Sequence, residues 1–308
     1  MTTLMTPLAP DAAGDCGGSV GLIGAGLMGL AMTERLRSRG REVLGWDISV
    51  DQRSALARLG GAVAGDSSEV FSRCRRIILS LPNDEVVAGV LTEAGGAMRA
   101  GQVVMDTSTG APEAAASRDR ELGARGVGYL DATVSGSSAQ TRSGEIVMMV
   151  GGSPEAFAEC RELFGLLARQ AIHTGPCGSG AKMKLVTNLV LGLNRAALAE
   201  GLLLARALGL PDDQALRVLR ESMAFSRVME SKGEKMVRGD FAPQARLSQH
   251  LKDVCLMLEA GAATGVPLPL TAVHRDLLEF GERHGLGPLD NAAIIRAIEL
   301  LKGGEPVR

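Results

Sequence analysis

Residues 19–36 read SVGLIGAGLMGLAMTERL. Glycine lowers the stability of strands and helices alike, so a chain that places Gly24, Gly26 and Gly29 beside an apolar run needs backbone room there. The three glycines form G-x-G-x-x-G, directly after a predicted strand and at the opening of a predicted helix. In that setting the first glycine makes a tight turn, the second lets the backbone approach a pyrophosphate, and the third permits close helix–strand packing. The free N–H groups of the helix N-terminus then face the phosphates.

The next predicted strand, EVLGW, ends at Asp47, 18 residues beyond Gly29. An acidic side chain at that distance accepts hydrogen bonds from the adenosine ribose hydroxyls and repels a 2′-phosphate, which favours NAD over NADP. Arg53 lies close enough in sequence to offset that repulsion if it swings over the site.

The strand–helix alternation continues outward from this unit. SVGLI, EVLGW, RIILSL, QVVMDT, GYLDA and EIVMMV are short aliphatic runs bounded by Gly, Pro or Asp and read as strands. GLAMTERLRSRG, DQRSALARLG, NDEVVAGVLTEA and PEAAASRDRELGARG read as the helices between them. Beyond residue 178 the strand signal stops, and GAKMKLVTNLVLGLNRAALAEGLLLARALGL is compatible with one long helix weakened locally at Gly192 and Gly201. Further helical patterns follow from Pro211. The expected fold is α/β, a Rossmann-type doubly wound, mostly parallel sheet followed by an all-helical C-terminal domain. The expected division is a flexible leader over 1–18, a dinucleotide-binding domain over 19–179 and a helical substrate and oligomerisation domain over 180–308. The long helix is expected to join the two domains and line the crevice between them.

Composition narrows the partners. The 308 residues are 45% hydrophobic and 22% charged, with a formal net charge of −2. No Lys/Arg block offers a nucleic-acid or anionic-membrane surface. No uninterrupted apolar run reaches the roughly 18 residues of a spanning helix. The first basic side chain is Arg35, so the charged region of a secretory signal is missing from the start of the sequence. The five cysteines are scattered without a C-x-x-C pair and the four histidines are not clustered, which argues against a metal site or disulfide framework and for a cytoplasmic setting.

Lysine usage points to the chemistry. Of 33 Lys+Arg only Lys182, Lys184, Lys232, Lys235, Lys252 and Lys302 are lysines, and none precedes residue 182. Arginine stays protonated near neutral pH, whereas a partly buried lysine can exchange its proton. Lys184 and Asn188 are four residues apart and share one face of a helix, while Lys182 points elsewhere. An ammonium beside an amide can hold a substrate oxygen and move its proton, provided the lysine is partly desolvated or near another cation.

Four segments in order resemble the β-hydroxyacid dehydrogenase family, which includes 3-hydroxyisobutyrate dehydrogenases and tartronate semialdehyde reductases. They are GLIGAGLMG, DATVSGSSAQTRSG, GSGAKMKLVTN and HLKDVCLMLEAG, and the resemblance runs from about Ser19 to Leu301. It implies that Lys184 is the catalytic acid/base and Asn188 its substrate-binding neighbour. Ser135, Gly136 and Ser137 form the substrate loop, with the carboxylate held by the Ser135 hydroxyl and backbone N–H groups, and Lys252 helps bind the acid. Gly24, Gly26, Leu27, Met28, Gly29 and Asp47 would hold the cofactor, with Leu81 and Pro82 of LPND and Thr109 of DTST along it. Asp253 is expected to be structural. The implied reaction is reversible hydride transfer between NAD and a small β-hydroxy acid or its semialdehyde, in a homodimer or homotetramer. The sequence departs from the family where Thr133 replaces a proline, Ser137 a glycine and Gln140 a later glycine, which bears on the substrate. Imine reductases resemble the same fold but generally lack the lysine. A non-catalytic dinucleotide-binding scaffold is the rival of another class, disfavoured by Lys184, Asn188 and Ser135 together.

Overall fold

The computed structural model describes residues 18–301. The leader expected over 1–18 falls, Gly18 apart, outside them. The chain divides into two compact units, Met1–Lys184 and Leu185–Arg308.

The first unit is an eight-stranded sheet in the order β3-β2-β1-β4-β5-β6-β7-β8. Its strands are β1 (Val20–Ile23), β2 (Val43–Trp46), β3 (Ala62–Val63), β4 (Arg76–Leu79), β5 (Val103–Asp106), β6 (Gly128–Ser135), β7 (Val147–Gly151) and β8 (Gln170–Gly175). All neighbours pair in parallel except β6 and β7, which run antiparallel. The helices are α1 (Leu27–Ser38), α2 (Val50–Arg58), α3 (Ser67–Arg73), α4 (Asp84–Glu93), α5 (Pro112–Gly123), α6 (Ser138–Ser143), α7 (Pro154–Glu159) and α8 (Arg161–Leu167).

The side chains of β1 separate the two faces, as the period-2 geometry of a strand requires. Val20 and Leu22 join a core with Met32 and Leu36 of α1 and Leu163 and Leu167 of α8. Ile23 joins another with Val70 and Phe71 of α3 and Val87 of α4. Gly21 lies on the second face, and a Cβ there would meet Val70 Cγ1 at 2.8 Å, so the glycine brings α3 directly onto the sheet. The sheet order reverses between β1 and β4, which leaves a crevice at the carboxyl ends of these two strands.

Two strands go beyond the six that the sequence predicts. β3 has two exposed residues, and β8 is a partly exposed edge strand with no clean alternation. β6 also runs three residues past GYLDA, to Ser135. Thr133 carries the N–H that a proline lacks, and it sits opposite Met149 in the antiparallel register.

α9 (Ser179–Ala207) crosses the division between the units. By length and composition alone it is apolar enough to span a membrane, and 44% of its most apolar window is buried within the protein. α10 (Asp212–Glu221), α11 (Val228–Arg238), α12 (Leu247–Thr264), α13 (Pro269–Arg283) and α14 (Ile294–Leu300) complete the second unit. Their core gathers Leu198 and Leu202 of α9, Val254 and Met257 of α12, Leu278 of α13 and Ile294 of α14.

That core also holds charge. Lys232 donates to both oxygens of Asp290, at 2.8 and 2.9 Å, and Arg195 is 2% exposed. Burial lowers the Arg195 guanidinium to about 10, against the opposing pull of Asp290 and Asp253. The rings of His250 and His274 lie 5.1 Å apart. Gly192 makes their position possible: a Cβ there would meet His250 Nε2 at 2.5 Å and His274 Cε1 at 2.7 Å.

His274 makes acid stability predictable. Burial, helped by Arg195, lowers its pKa to about 4 from 6.5. Below pH 6.5 the unfolded chain takes up a proton that the folded protein refuses, so stability falls as pH falls towards 4. Between pH 7 and pH 5 this group should cost about 2 kcal/mol. Urea unfolding of the wild type and of His274→Gln at both pH values checks it, the variant losing that much less on acidification.

Candidate active site

The glycine loop follows β1 at the crevice. Gly24 has φ +95°, and a Cβ there would lie 2.2 Å from the Ser80 carbonyl oxygen, so the turn passes hard against the end of β4. A Cβ on Gly29 would lie 2.0 Å from the Gly24 carbonyl oxygen, which makes the third glycine the contact between α1 and its own entry turn. Gly26 differs from both. It has φ −70° at the N-cap of α1, and a Cβ there would have no protein atom within 4 Å. Neither conformation nor packing requires that glycine, so the room it leaves fits a group from outside the chain. Leu27, 68% exposed, and Met28, half-buried, open the helix beside it.

Asp47 follows β2 and anchors the same loop. One carboxylate oxygen accepts the Ala25 N–H at 2.7 Å, and the other accepts the Ser49 N–H at 2.8 Å. The carboxylate retains further lone pairs for ribose hydroxyls. Arg53 turns its guanidinium onto the carbonyls of Asp47 and Ile48, at 2.6 and 3.1 Å, and does not pair with the carboxylate.

The loops after β4 and β5 are locked together. The Leu81 N–H donates to Ser108 Oγ at 3.0 Å, and the Ser108 N–H donates to Asp106 at 2.9 Å. Asp84 accepts from the Ala111 N–H and from Arg118, each at 2.7 Å. Beneath them Tyr129 donates to Asp106 at 2.5 Å. Burial raises the pKa of Asp106, opposed by its hydrogen bonds to Ser108 and Tyr129. Leu81, Pro82 and Thr109, the residues expected along the cofactor, therefore stand on a framework of Asp84, Asp106, Arg118 and Tyr129. The sequence reading missed that framework, because its partners lie between 23 and 34 residues apart and form no local pattern.

Lys184 is placed by a clamp on the carboxyl half of β6. The buried Asp131 accepts the N–H groups of Gly178 at 2.9 Å and Ala181 at 2.7 Å, and so caps the start of α9. Burial raises the Asp131 pKa against these two bonds. The Thr133 hydroxyl donates to the Gly180 carbonyl at 3.0 Å. Gly180 allows the approach, since a Cβ there would lie 2.3 Å from the Asp131 carbonyl oxygen. One turn along α9 the half-buried Lys184 donates from Nζ to the Val134 carbonyl at 2.5 Å. The ammonium thus sits at the residue before Ser135, where the expected substrate loop begins. Lys182 is exposed.

In that loop Gly136 has φ +147°, and a Cβ there would meet Ile146 Cγ2 at 2.6 Å. Ser137 caps α6 in a full capping box: its hydroxyl accepts the Gln140 N–H, and the Gln140 side chain accepts the Ser137 N–H at 2.9 Å. The S-x-x-Q spacing that signals this box is legible in SSAQ.

The remaining candidates belong to the second unit. Asn188, one turn beyond Lys184 on α9, is 8% exposed and donates from Nδ2 to Asp253 at 3.0 Å. Asp253 is itself buried, 9% exposed. Lys252 is exposed on α12. Among the described residues no group of three or more His, Cys, Asp or Glu side chains is placed to hold a metal ion.

Comparison with known proteins agrees with this geometry. Residues 19–175 match the family described as the NAD binding domain of 6-phosphogluconate dehydrogenase, and residues 178–298 match that described as NAD-binding of NADP-dependent 3-hydroxyisobutyrate dehydrogenase. The chain is 33% identical to 2-(hydroxymethyl)glutarate dehydrogenase of Eubacterium barkeri, over 92% of this chain and 96% of that one. It is 30% identical to 2-hydroxy-3-oxopropionate reductase of Escherichia coli, over 92% and 97%. Among solved structures it superposes on the 3-hydroxyisobutyrate dehydrogenase of Mycobacterium tuberculosis with L-serine, with a TM-score of 0.82 and 27% identity, covering 91% of this chain and 99% of that one. By these matches, which together span residues 19–298, the chain belongs to the β-hydroxyacid dehydrogenase family.

Proposed function

We propose that the protein oxidises a small β-hydroxy acid with NAD, or reduces its semialdehyde with NADH, with Lys184 as the general acid/base. The observation that carries this reading is the hydrogen bond from Lys184 Nζ to the Val134 carbonyl, which holds the ammonium beside Ser135 and Gly136. A carboxylate bound through the Ser135 hydroxyl and the Gly136 N–H leaves a neighbouring hydroxyl within reach of Nζ. The bound dinucleotide supplies the hydride acceptor. As the carbinol becomes a carbonyl, its proton passes to the neutral amine of Lys184, and reduction takes the proton back. The mycobacterial relative was solved with L-serine, itself a β-hydroxy acid, which supports that substrate class. Asn188 and Lys252 stand as further substrate-binding residues on the family resemblance alone.

NAD is the preferred cofactor in this reading. The Asp47 carboxylate is fixed at the end of β2 by two backbone N–H groups, and Arg53 is occupied by carbonyls. A 2′-phosphate would meet that negative charge. A screen of small β-hydroxy acids with NAD and with NADP, followed by absorbance of the reduced cofactor, tests reaction and preference together. The expected result is turnover of at least one acid, with kcat/KM at least about tenfold higher for NAD, the factor of one charge contact. No turnover of any acid with either cofactor overturns the reading.

A homodimer or homotetramer is part of the proposal. α9 exposes Val186, Val190 and Leu204, and Leu208 just beyond its end is exposed too, apolar surface that a second copy would cover. A cytoplasmic setting accords with the free thiols of Cys74, Cys160, Cys177 and Cys255.

A further inference from the structure

We propose that Gln140 determines which acids the substrate loop accepts, by taking up the Ser137 N–H and offering its own amide N–H groups in its place. This rests on the reading that residues 135–137 bind the substrate carboxylate.

In the loop as folded, the Ser137 N–H donates to Gln140 Oε1 at 2.9 Å, and the Ser137 hydroxyl lies 3.3 Å from the same oxygen. An amide carbonyl oxygen therefore occupies the position where a carboxylate oxygen would accept that N–H. The same oxygen lies 3.4 Å from where a Cβ on Gly136 would stand, so the Gln140 side chain closes over the inner part of the loop. One backbone N–H of the expected substrate loop, that of Ser137, is turned to the capping box. A glycine at 140 would leave the Ser137 N–H open to an incoming acid.

With Oε1 turned inward, planarity of the amide turns Nε2 and its two donors away from the Ser137 N–H, and Gln140 is exposed. The loop thus retains a donor for an anion, but one displaced outward along a side chain. β-Hydroxy acids with a second carboxylate farther from the carbinol carbon reach that donor while the first carboxylate stays at Ser135 and the carbinol at Lys184. Short acids must expel Gln140 from the Ser137 N–H before they bind in the same way. The selected class is β-hydroxy acids that carry a second, more distant carboxylate.

The test compares 3-hydroxypropionate with the longer 2-(hydroxymethyl)succinate, which keeps the β-hydroxy acid and adds a second, more distant carboxylate. Wild type, Gln140→Ala and Gln140→Glu are assayed with NAD, and the affinity of each acid for the NADH-bound protein, where oxidation is blocked, is measured by calorimetry. Wild type should favour the longer acid. Gln140→Ala frees the Ser137 N–H and should shift the preference towards the shorter acid by about tenfold, through KM and not kcat, the value of one hydrogen bond to a charged group. Gln140→Glu preserves the capping box, so the fold is kept, but places a negative charge at the loop and should weaken both acids. An unchanged preference in Gln140→Ala, or undiminished affinity in Gln140→Glu, overturns the proposal, as does failure of both acids to bind. Turnover with an unchanged preference sinks the role of Gln140 and leaves the reaction standing. Shifted affinities without turnover sink the reaction and leave the role of Gln140 standing.

Discussion

Lys184→Ala should lower kcat by about a thousandfold, the middle of the range that a positioned acid/base contributes, and leave dinucleotide affinity nearly intact. The side chain is removed from a half-buried position where it donates to the Val134 carbonyl. None of the contacts that shape the glycine loop or anchor Asp47 involves it. Affinity can be followed through Trp46, the only tryptophan, which directly precedes Asp47. Lys184→Arg separates charge from proton transfer. A guanidinium can still donate to the Val134 carbonyl, but it does not release its proton near neutral pH. Both variants should therefore be slow and both should bind NAD. Full turnover in either one removes Lys184 from the proton path.

The second large effect divides two glycines of one motif. Gly29→Ala places a methyl 2.0 Å from the Gly24 carbonyl oxygen, so backbone must move on one side or the other. The cost should be about 3 kcal/mol, the upper end for overpacked core sites. Tm should fall by roughly 10 °C on the size scaling of domains this long. Gly26→Ala places its methyl in open space at a φ that alanine adopts readily. Its stability should change by at most about 1 kcal/mol, the scale of an altered N-cap, while NAD affinity falls by at least about tenfold as the methyl takes the room left for the pyrophosphate. Thermal melts with Trp46 titrations separate the two variants. A Gly26→Ala protein that binds NAD like the wild type would show that the open space belongs to no ligand.

These contrasts indicate what the sequence discloses. The glycine spacing, the acid at 47 and the rarity of lysine are local or compositional, so the dinucleotide fold, its glycine loop and the candidate lysine are legible in the order of residues alone. The sheet is legible where strands are buried and aliphatic. β3 and β8 escape because an edge strand, half in water, need not keep the alternation that burial enforces. The supports of the site are not local. Asp131 reaches Ala181 across 50 residues and Arg118 reaches Asp84 across 34, and nothing in a single sequence couples such pairs. Gln140 lies between these cases. S-x-x-Q is a readable helix start, but that its oxygen takes an N–H expected for the substrate becomes visible only in the folded loop.

The clamp of Asp131, Thr133 and Gly180 has a mechanical consequence. Lys184 and Ser135, the proposed proton carrier and acid anchor, are mounted on the same few residues at one end of a single strand, like two tools on one handle. A shift of that strand end carries both together. Selectivity can then drift at the rim of the loop, residue by residue, while the chemistry beneath it stays in register.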